Sequence, residues 1–265
     1  MSGIPMKFLF RASNIFLLVL ILVSHAYSDN KLSRIFRPEM LNAQIAYLET
    51  ITGPALHVGD SFNSVVERDY RVDGCRLKAY TKGKMAIGYS LDLSSNCSFD
   101  LGAFLGNGYS WTDGLTIGKF VDGAYGEDMR AQSSCINSCG NSVDESVDFT
   151  FEGPHSANYL SIVFTVVLVT NQSIDAEQRW ETLMRKKEGD DYVLNTRFNC
   201  SKKFDGMAIR AFYKVPVTQI TMGYEPNASF YTSLCNRNFN PVNAQGASRK
   251  IAAPRPSAPP LGPNQ

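Results

Sequence analysis

Residues 70–99, YRVDGCRLKAYTKGKMAIGYSLDLSSNCSF, constrain the fold more than any other stretch, because alternation, turn chemistry and cysteine placement agree there. Before Thr81 the apolar positions are Cys75, Leu77 and Ala79, and after Lys84 they are Met85, Ile87, Tyr89, Leu91 and Leu93. A period of two belongs to strands with one buried face. A two-residue turn at Lys82-Gly83 would set Ala79 opposite Ala86 and each apolar row opposite a polar one. A three-residue turn, Thr81-Lys82-Gly83 with Gly83 left-handed, sets Ala79 opposite Met85, Leu77 opposite Ile87 and Cys75 opposite Tyr89. Matching faces therefore select the three-residue turn.

The chain has 265 residues, enough for one large or two small domains with a real core. Its first 28 residues stand apart: Lys7 and Arg11 precede nine apolar residues at 15–23, and Ala26-Tyr27-Ser28 offers a small-x-small cleavage site. This is the layout of a secretory signal peptide. The apolar run is well short of the roughly 20 residues that cross a bilayer, so no stable membrane span is expected after cleavage. The whole chain carries 26 basic and 25 acidic residues, and the leader holds two of the bases and no acid, leaving a formal charge of −1 on the mature chain. Nucleic acid is thereby excluded as a principal partner, since phosphate binding needs a basic excess on some face.

Six cysteines in an exported chain are expected to form disulfides. Of the 15 connectivities six cysteines allow, the sequence-local set is preferred: Cys75 with Cys97, Cys135 with Cys139, and Cys200 with Cys235.

Five segments follow from the composition. Residues 1–28 are the leader. Residues 29–101 form an N-terminal helix plus β-meander: a short mature leader at 30–36, a helix over 38–52 stopped by Gly53-Pro54, then strands from Val65 onward with a turn or bulge at Asp73-Gly74. Residues 102–141 are a connecting segment rich in glycine and aromatics, including Tyr109 and Trp111, read as short strands with an exposed tip. Residues 142–240 form a C-terminal α+β half, with strands at 147–151 and 159–169, the latter covered on both faces. In it Ser173 caps a helix whose apolar face is Ala176, Trp180, Leu183 and Met184, whose last turn is Arg185-Lys186-Lys187 and whose stop is Gly189. Strands are expected at 192–198, 207–215 and 217–224, and the proline-rich tail 241–265 reads as disordered. The class is α+β, antiparallel sheets each packed by a helix. Asn96-Cys97-Ser98-Phe99-Asp100 recurs at 199–205 with two lysines inserted, which raises the option of two related halves.

The order helix, Gly53-Pro54, Tyr70 and meander over residues 38–99 resembles the envelope modules shared by barrel-assembly lipoproteins and β-lactamase inhibitor proteins, although the lipid-bearing cysteine of the lipoproteins is missing. Separately, CINSCGN at 135–141, Asp144, Trp180 with Met184, and Phe198-Asn199-Cys200 are similar to a group of exported bacterial proteins without assigned activity. That second resemblance implies a compartment, periplasmic or secreted, and no particular reaction.

Chemistry-bearing motifs are sparse. His57 and His155 are the histidines left after cleavage and are far apart, with no zinc-ligand spacing, so no metal or other cofactor is expected. Cys135 and Cys139 have three residues between them, not two, which favours a structural bridge over a redox pair. No nucleophile elbow or phosphate-cradling loop occurs. The composite reading is a non-catalytic, exported, disulfide-braced binding or inhibitory protein that docks a protein partner of the envelope or secreted fraction through Tyr109 and Trp111. The competing readings are a secreted hydrolase using His155 with Glu152 or Asp148, and a structural envelope subunit.

Overall fold

The computed structural model describes residues 30–62, 64–105, 112–125, 129–136, 139, 145–152, 160–224 and 235. Its strands are β1 (His57–Phe62), β2 (Val65–Val72), β3 (Cys75–Lys82), β4 (Met85–Asp92), β5 (Arg130–Gln132), β6 (Ser146–Glu152), β7 (Leu160–Val167) and β8 (Gln219–Tyr224). The helices are α1 (Lys31–Ile35), α2 (Ile45–Thr52), α3 (Gly102–Leu105), α4 (Ile117–Phe120), α5 (Asn171–Glu188), α6 (Asp190–Leu194) and α7 (Asp205–Phe212). The class is α+β, as the sequence implies, but the strands form one eight-stranded antiparallel sheet, ordered β1-β2-β3-β4-β8-β7-β6-β5. Each half contributes a four-strand meander, and β4 pairs with β8 from Gly88↔Gly223 to Asp92↔Gln219 to join them. The helices enter the two halves differently: α1 and α2 precede β1, whereas α5, α6 and α7 lie between β7 and β8.

Facing partners sort the sheet into two surfaces. One carries Tyr70, Leu77, Ala79, Tyr89, Leu91, Ile220, Met222, Ile162, Phe164 and Phe149, all buried. Helical segments pack here: the Tyr89 phenol donates to the Met40 carbonyl at 2.8 Å, and ring pairs join Phe36 to Tyr89, Phe120 to Phe164 and Phe149 to Phe212. One apolar cluster runs from Leu32 to Met222.

The hairpin register departs from expectation. The loop is Gly83-Lys84, with Gly83 at φ +62°, and pairs Lys82 with Met85 and Thr81 with Ala86. Glycine at the first of two loop positions is the hairpin solution that needs one left-handed residue. A bulge then leaves Ile87 without a partner, so that Ala79 faces Tyr89 and Leu77 faces Leu91. The cause is tertiary. Ala86 exchanges backbone hydrogen bonds with the 42–45 segment, through Asn42 N–H to Ala86 O at 2.7 Å and Ala86 N–H to Ala43 O at 2.9 Å. That segment occupies the edge of β4 beyond the β8 pairs and buries Ala86, while Met85 stays exposed.

The same contact breaks the helix expected over 38–52 into a 3-10 turn, Pro38–Met40, and α2, with Asn42 left-handed between them at φ +67°. Residues 30–36 are no loose leader: Asn30 caps α1, and Leu32, Ile35 and Phe36 are buried. β1 is a strand that alternation did not reveal. The 102–141 region holds helical turns α3 and α4, a π-helical turn at Val121–Tyr125 and the single strand β5 among its described residues, in place of a run of short strands. Residues 192–198 and 207–215 are helical too, as α6, the 3-10 turn Arg197–Cys200 and α7. In α7 the buried set is Asp205, Ala208, Ile209 and Phe212, a helical stripe that also reads as alternation when Met207, Ile209 and Ala211 are counted.

All three expected bridges form: Cys75–Cys97, Cys135–Cys139 and Cys200–Cys235, with Cα separations of 5.4–5.5 Å. The first ties the start of β3 to the chain leaving β4.

α5 starts three residues earlier than Ser173 suggests. Thr170 is the N-cap and accepts the Ser173 N–H at 3.1 Å, while Ser173 Oγ accepts the Thr170 N–H, a reciprocal capping box. Gly189 stops the helix at φ +83°, as expected. Thr170→Ala is expected to cost about 1 kcal/mol, read as a lowered urea midpoint with unchanged slope.

Candidate functional site

The second surface of the sheet is polar, and its residues form rows that cross the seam between the halves. One row runs Asp92, Gln219, Thr165, Asp148, Gln132; the next runs Asp69, Lys78, Ser90, Thr221, Val163, Thr150, Arg130. Directly opposed pairs hydrogen-bond: Thr165 Oγ1 donates to Asp148 Oδ1 at 2.7 Å, Gln219 Nε2 to Asp92 Oδ1 at 2.7 Å and Thr221 Oγ1 to Ser90 Oγ at 2.9 Å. Lys78 Nζ reaches Glu67 at 2.7 Å. The β-period puts these residues here, because each alternates with a core residue on its own strand.

Tyr80 lies at the centre, over a bare patch of floor made by Gly88 and Gly223, the facing pair of the seam. A Cβ on Gly88 would stand 3.6 Å from Tyr80 Cδ2, so the ring covers that glycine. Burial first, then the Glu67 carboxylate, pushes the Tyr80 phenol up to about 12. The phenol is therefore a neutral hydroxyl that donates or accepts, with Ser90 beside it. Arg71, Arg76 and Lys82 stand exposed around it, and Glu67, Asp69, Asp92 and Asp148 are half-buried. Such an array offers hydrogen-bond donors and acceptors; Asp148 is engaged by Thr165, and among the described residues burial and Glu67 hold the Tyr80 phenol protonated.

The residues singled out for binding, Tyr109 and Trp111, lie outside the described residues, as does His155; of Glu152 only the backbone is described. His57 stands on the exposed edge strand β1. Among the described residues no group of three or more His, Cys, Asp or Glu side chains could hold a metal ion. Also among them, no helix is long and apolar enough to cross a membrane.

Several motif residues do come together, in one structural knot. Trp180 packs edge-on against Phe198 at 5.1 Å and donates to Phe204 O at 3.2 Å. Asn199 is buried; its side chain accepts the Ser133 N–H at 3.0 Å and donates to Ser133 O at 2.8 Å. Ser133 Oγ in turn donates to the Cys135 carbonyl at 2.8 Å, at the mouth of the Cys135–Cys139 loop. Asp205 accepts from Arg130 Nε at 2.8 Å and from the Ala131 N–H. Burial nonetheless lifts its pKa, with Arg130 pulling the other way. Asn199 and Asp205 thus satisfy the free edge of β5 and close one margin of the sheet. The motif spacing carries fold, and sequence reasoning missed Tyr80 because it looked like one more residue on a polar row.

A scan against protein-family models, a search of curated proteins and a search of solved structures found no match to this chain.

Proposed function

We propose that this protein is an exported, non-catalytic binding module of the bacterial envelope, with inhibition of a protein partner as its specific form. The partner meets the polar sheet face around Tyr80 and engages Tyr109 and Trp111, the residues that the sequence assigns to binding. The observation that supports this most is the face itself: opposed hydroxyl, amide and carboxylate side chains on paired strands, hydrogen-bonded at Thr165–Asp148 and, across the seam, at Gln219–Asp92 and Thr221–Ser90, with Arg71, Arg76 and Lys82 exposed beside them. Groups held in place before binding lose little conformational freedom when a partner arrives, and an aromatic centre within a polar surround is the usual anatomy of a recognition patch. The three bridges accord with an oxidising compartment such as the periplasm or the exterior.

Affinity capture from a periplasmic or secreted fraction, with the mature chain as bait, tests the reading. A protein retained by the wild type is expected to be lost by Arg76→Glu/Lys82→Glu and by Tyr109→Ala/Trp111→Ala, with circular dichroism unchanged. Capture that persists in both double variants rejects the proposed surface.

A further inference from the structure

Away from the sheet face, α5 and the C-terminal end of α7 border an open cavity of about 400 Å³. Gln172 and Arg179 line it from α5, and Arg210, Tyr213 and Lys214 line it from the other side, over Val215. Three of these side chains are cations, and among the described residues no acid lines the cavity. Also among the described residues, no carboxylate forms an ion pair with Arg179, Arg210 or Lys214. Of the acids beside it, Asp122 accepts the Tyr213 phenol, and Asp175, one helical turn before Arg179, lines the adjoining depression and not this cavity.

The cavity is also built in advance of any ligand. Arg179 Nη2 donates to the Ala211 carbonyl at 3.1 Å, and Gln172 Nε2 donates to the Lys214 carbonyl at 2.8 Å. These two bonds serve carbonyls at the end of α7, which accounts for Arg179 and Gln172 in structural terms. They leave Arg210 and Lys214 unexplained, because the carbonyls are already satisfied by the other helix. Cations gathered in a lining that holds no acid among the described residues repel one another, and an oxyanion between them removes that repulsion. Arg179 also borders a second depression of about 540 Å³ on the outer face of α5, lined by Gln178, Thr182 and Leu183 with Asp175. A ligand can therefore place an anionic head among the cations and a less charged body along Leu183. The volumes fall in the range of small-molecule sites.

We infer that this cavity is a binding site for a small organic molecule with a multiply charged oxyanion head, either phosphoryl or polycarboxylate, held by Arg179, Arg210 and Lys214. Both heads share the chemistry that guanidinium and ammonium groups recognise. The site is separate from the sheet face and stands whether or not that face binds a protein.

The test is calorimetric titration of the full, oxidised chain at low ionic strength with pyrophosphate and, separately, with citrate. Saturable one-site binding of at least one anion is expected, and the arm that responds names the head group. Arg210→Gln/Lys214→Gln is expected to weaken it at least tenfold, whereas Arg76→Gln/Lys82→Gln, on the sheet face, is expected to leave it within twofold. Because Arg210 and Lys214 are exposed, folding should survive their replacement; a ligand-induced rise in Tm, present in the wild type and missing from that variant, gives an independent reading. Absence of binding by both anions overturns the inference, and so does an equal loss in the sheet-face control, which would mark diffuse surface charge.

Discussion

Glu177→Gln is expected to stabilise the protein by about 3 kcal/mol at pH 8 and to change little near pH 4. Glu177 lies in the buried stripe of α5 at 6 % exposure, and its Oε1 has no hydrogen-bond partner among the described residues. Burial, followed by the neighbouring Glu181 and then Glu145, pushes its pKa up to about 7 from an ordinary value near 4.5; Arg185 opposes this weakly, since it is spent on Glu181 at 2.6 Å and Asp190 at 2.7 Å. The sign follows from the folded carboxyl holding its proton more tightly than the unfolded one. Its stabilising contribution is complete below about pH 4.5 and is lost as pH rises through about 7, where the folded state must either carry a buried charge next to Glu181 or unfold. Glutamine keeps the size and the neutral hydrogen-bonding character of the protonated acid and removes the titration. Urea unfolding at pH 5, 6, 7 and 8 should show the wild type weakening toward alkaline pH and the variant staying flat over that range. Parallel curves for the two proteins would remove Glu177 as the source.

The same residue shows what the sequence could and could not tell. The buried positions of α5 are Ser173, Ala176, Glu177, Trp180, Glu181 and Met184, a regular helical stripe. Reading apolar side chains alone recovers Ala176, Trp180 and Met184, assigns Leu183 wrongly to the face and passes over both glutamates; Leu183 is 39 % exposed. Features set by neighbours in the chain were legible: the Gly53 and Gly189 stops, the reversal at Asp73-Gly74, which is a left-handed turn, and the strand β7. The local cysteine pairs were legible for the same reason. What failed was decided at long range. The bulge at Ile87 answers to Ala43 and Gly223, and α7 took one of two periods its sequence allows because Phe212 has Phe149 to pack against. The polar face was legible as alternation, but its continuity was not, since nothing in either half announces that β4 will pair with β8.

Gly223→Ala is expected to be the most damaging single methyl this chain can accept at that seam. A Cβ there would sit 2.5 Å from Ile87 O and 2.7 Å from Gly88 Cα, both backbone atoms that cannot turn aside. Relief requires β8 to move off β4, which breaks the pairing that runs from Gly88↔Gly223 to Asp92↔Gln219 and strips the Thr221–Ser90 and Gln219–Asp92 bonds from the polar face. A loss of about 3–5 kcal/mol is expected, the range of severe overpacking combined with broken buried hydrogen bonds. Gly88→Ala is a graded control, for its nearest contacts are 3.0 Å to Met222 O and 3.5 Å to Gly223 Cα, and a smaller loss should follow. Hydrogen exchange distinguishes the consequences for the two meanders. Since one apolar cluster spans both, amides of β2–β3 and of β6–β7 should lose protection together in the Gly223 variant. A loss confined to β8 and its neighbours would show that the halves fold independently, and a change below 1 kcal/mol would show that the strands separate without penalty. The bare floor beneath Tyr80 then has a mechanical origin: the strands of the two halves approach too closely at Gly223 for a side chain and leave little room for one at Gly88, which the aromatic ring from β3 covers.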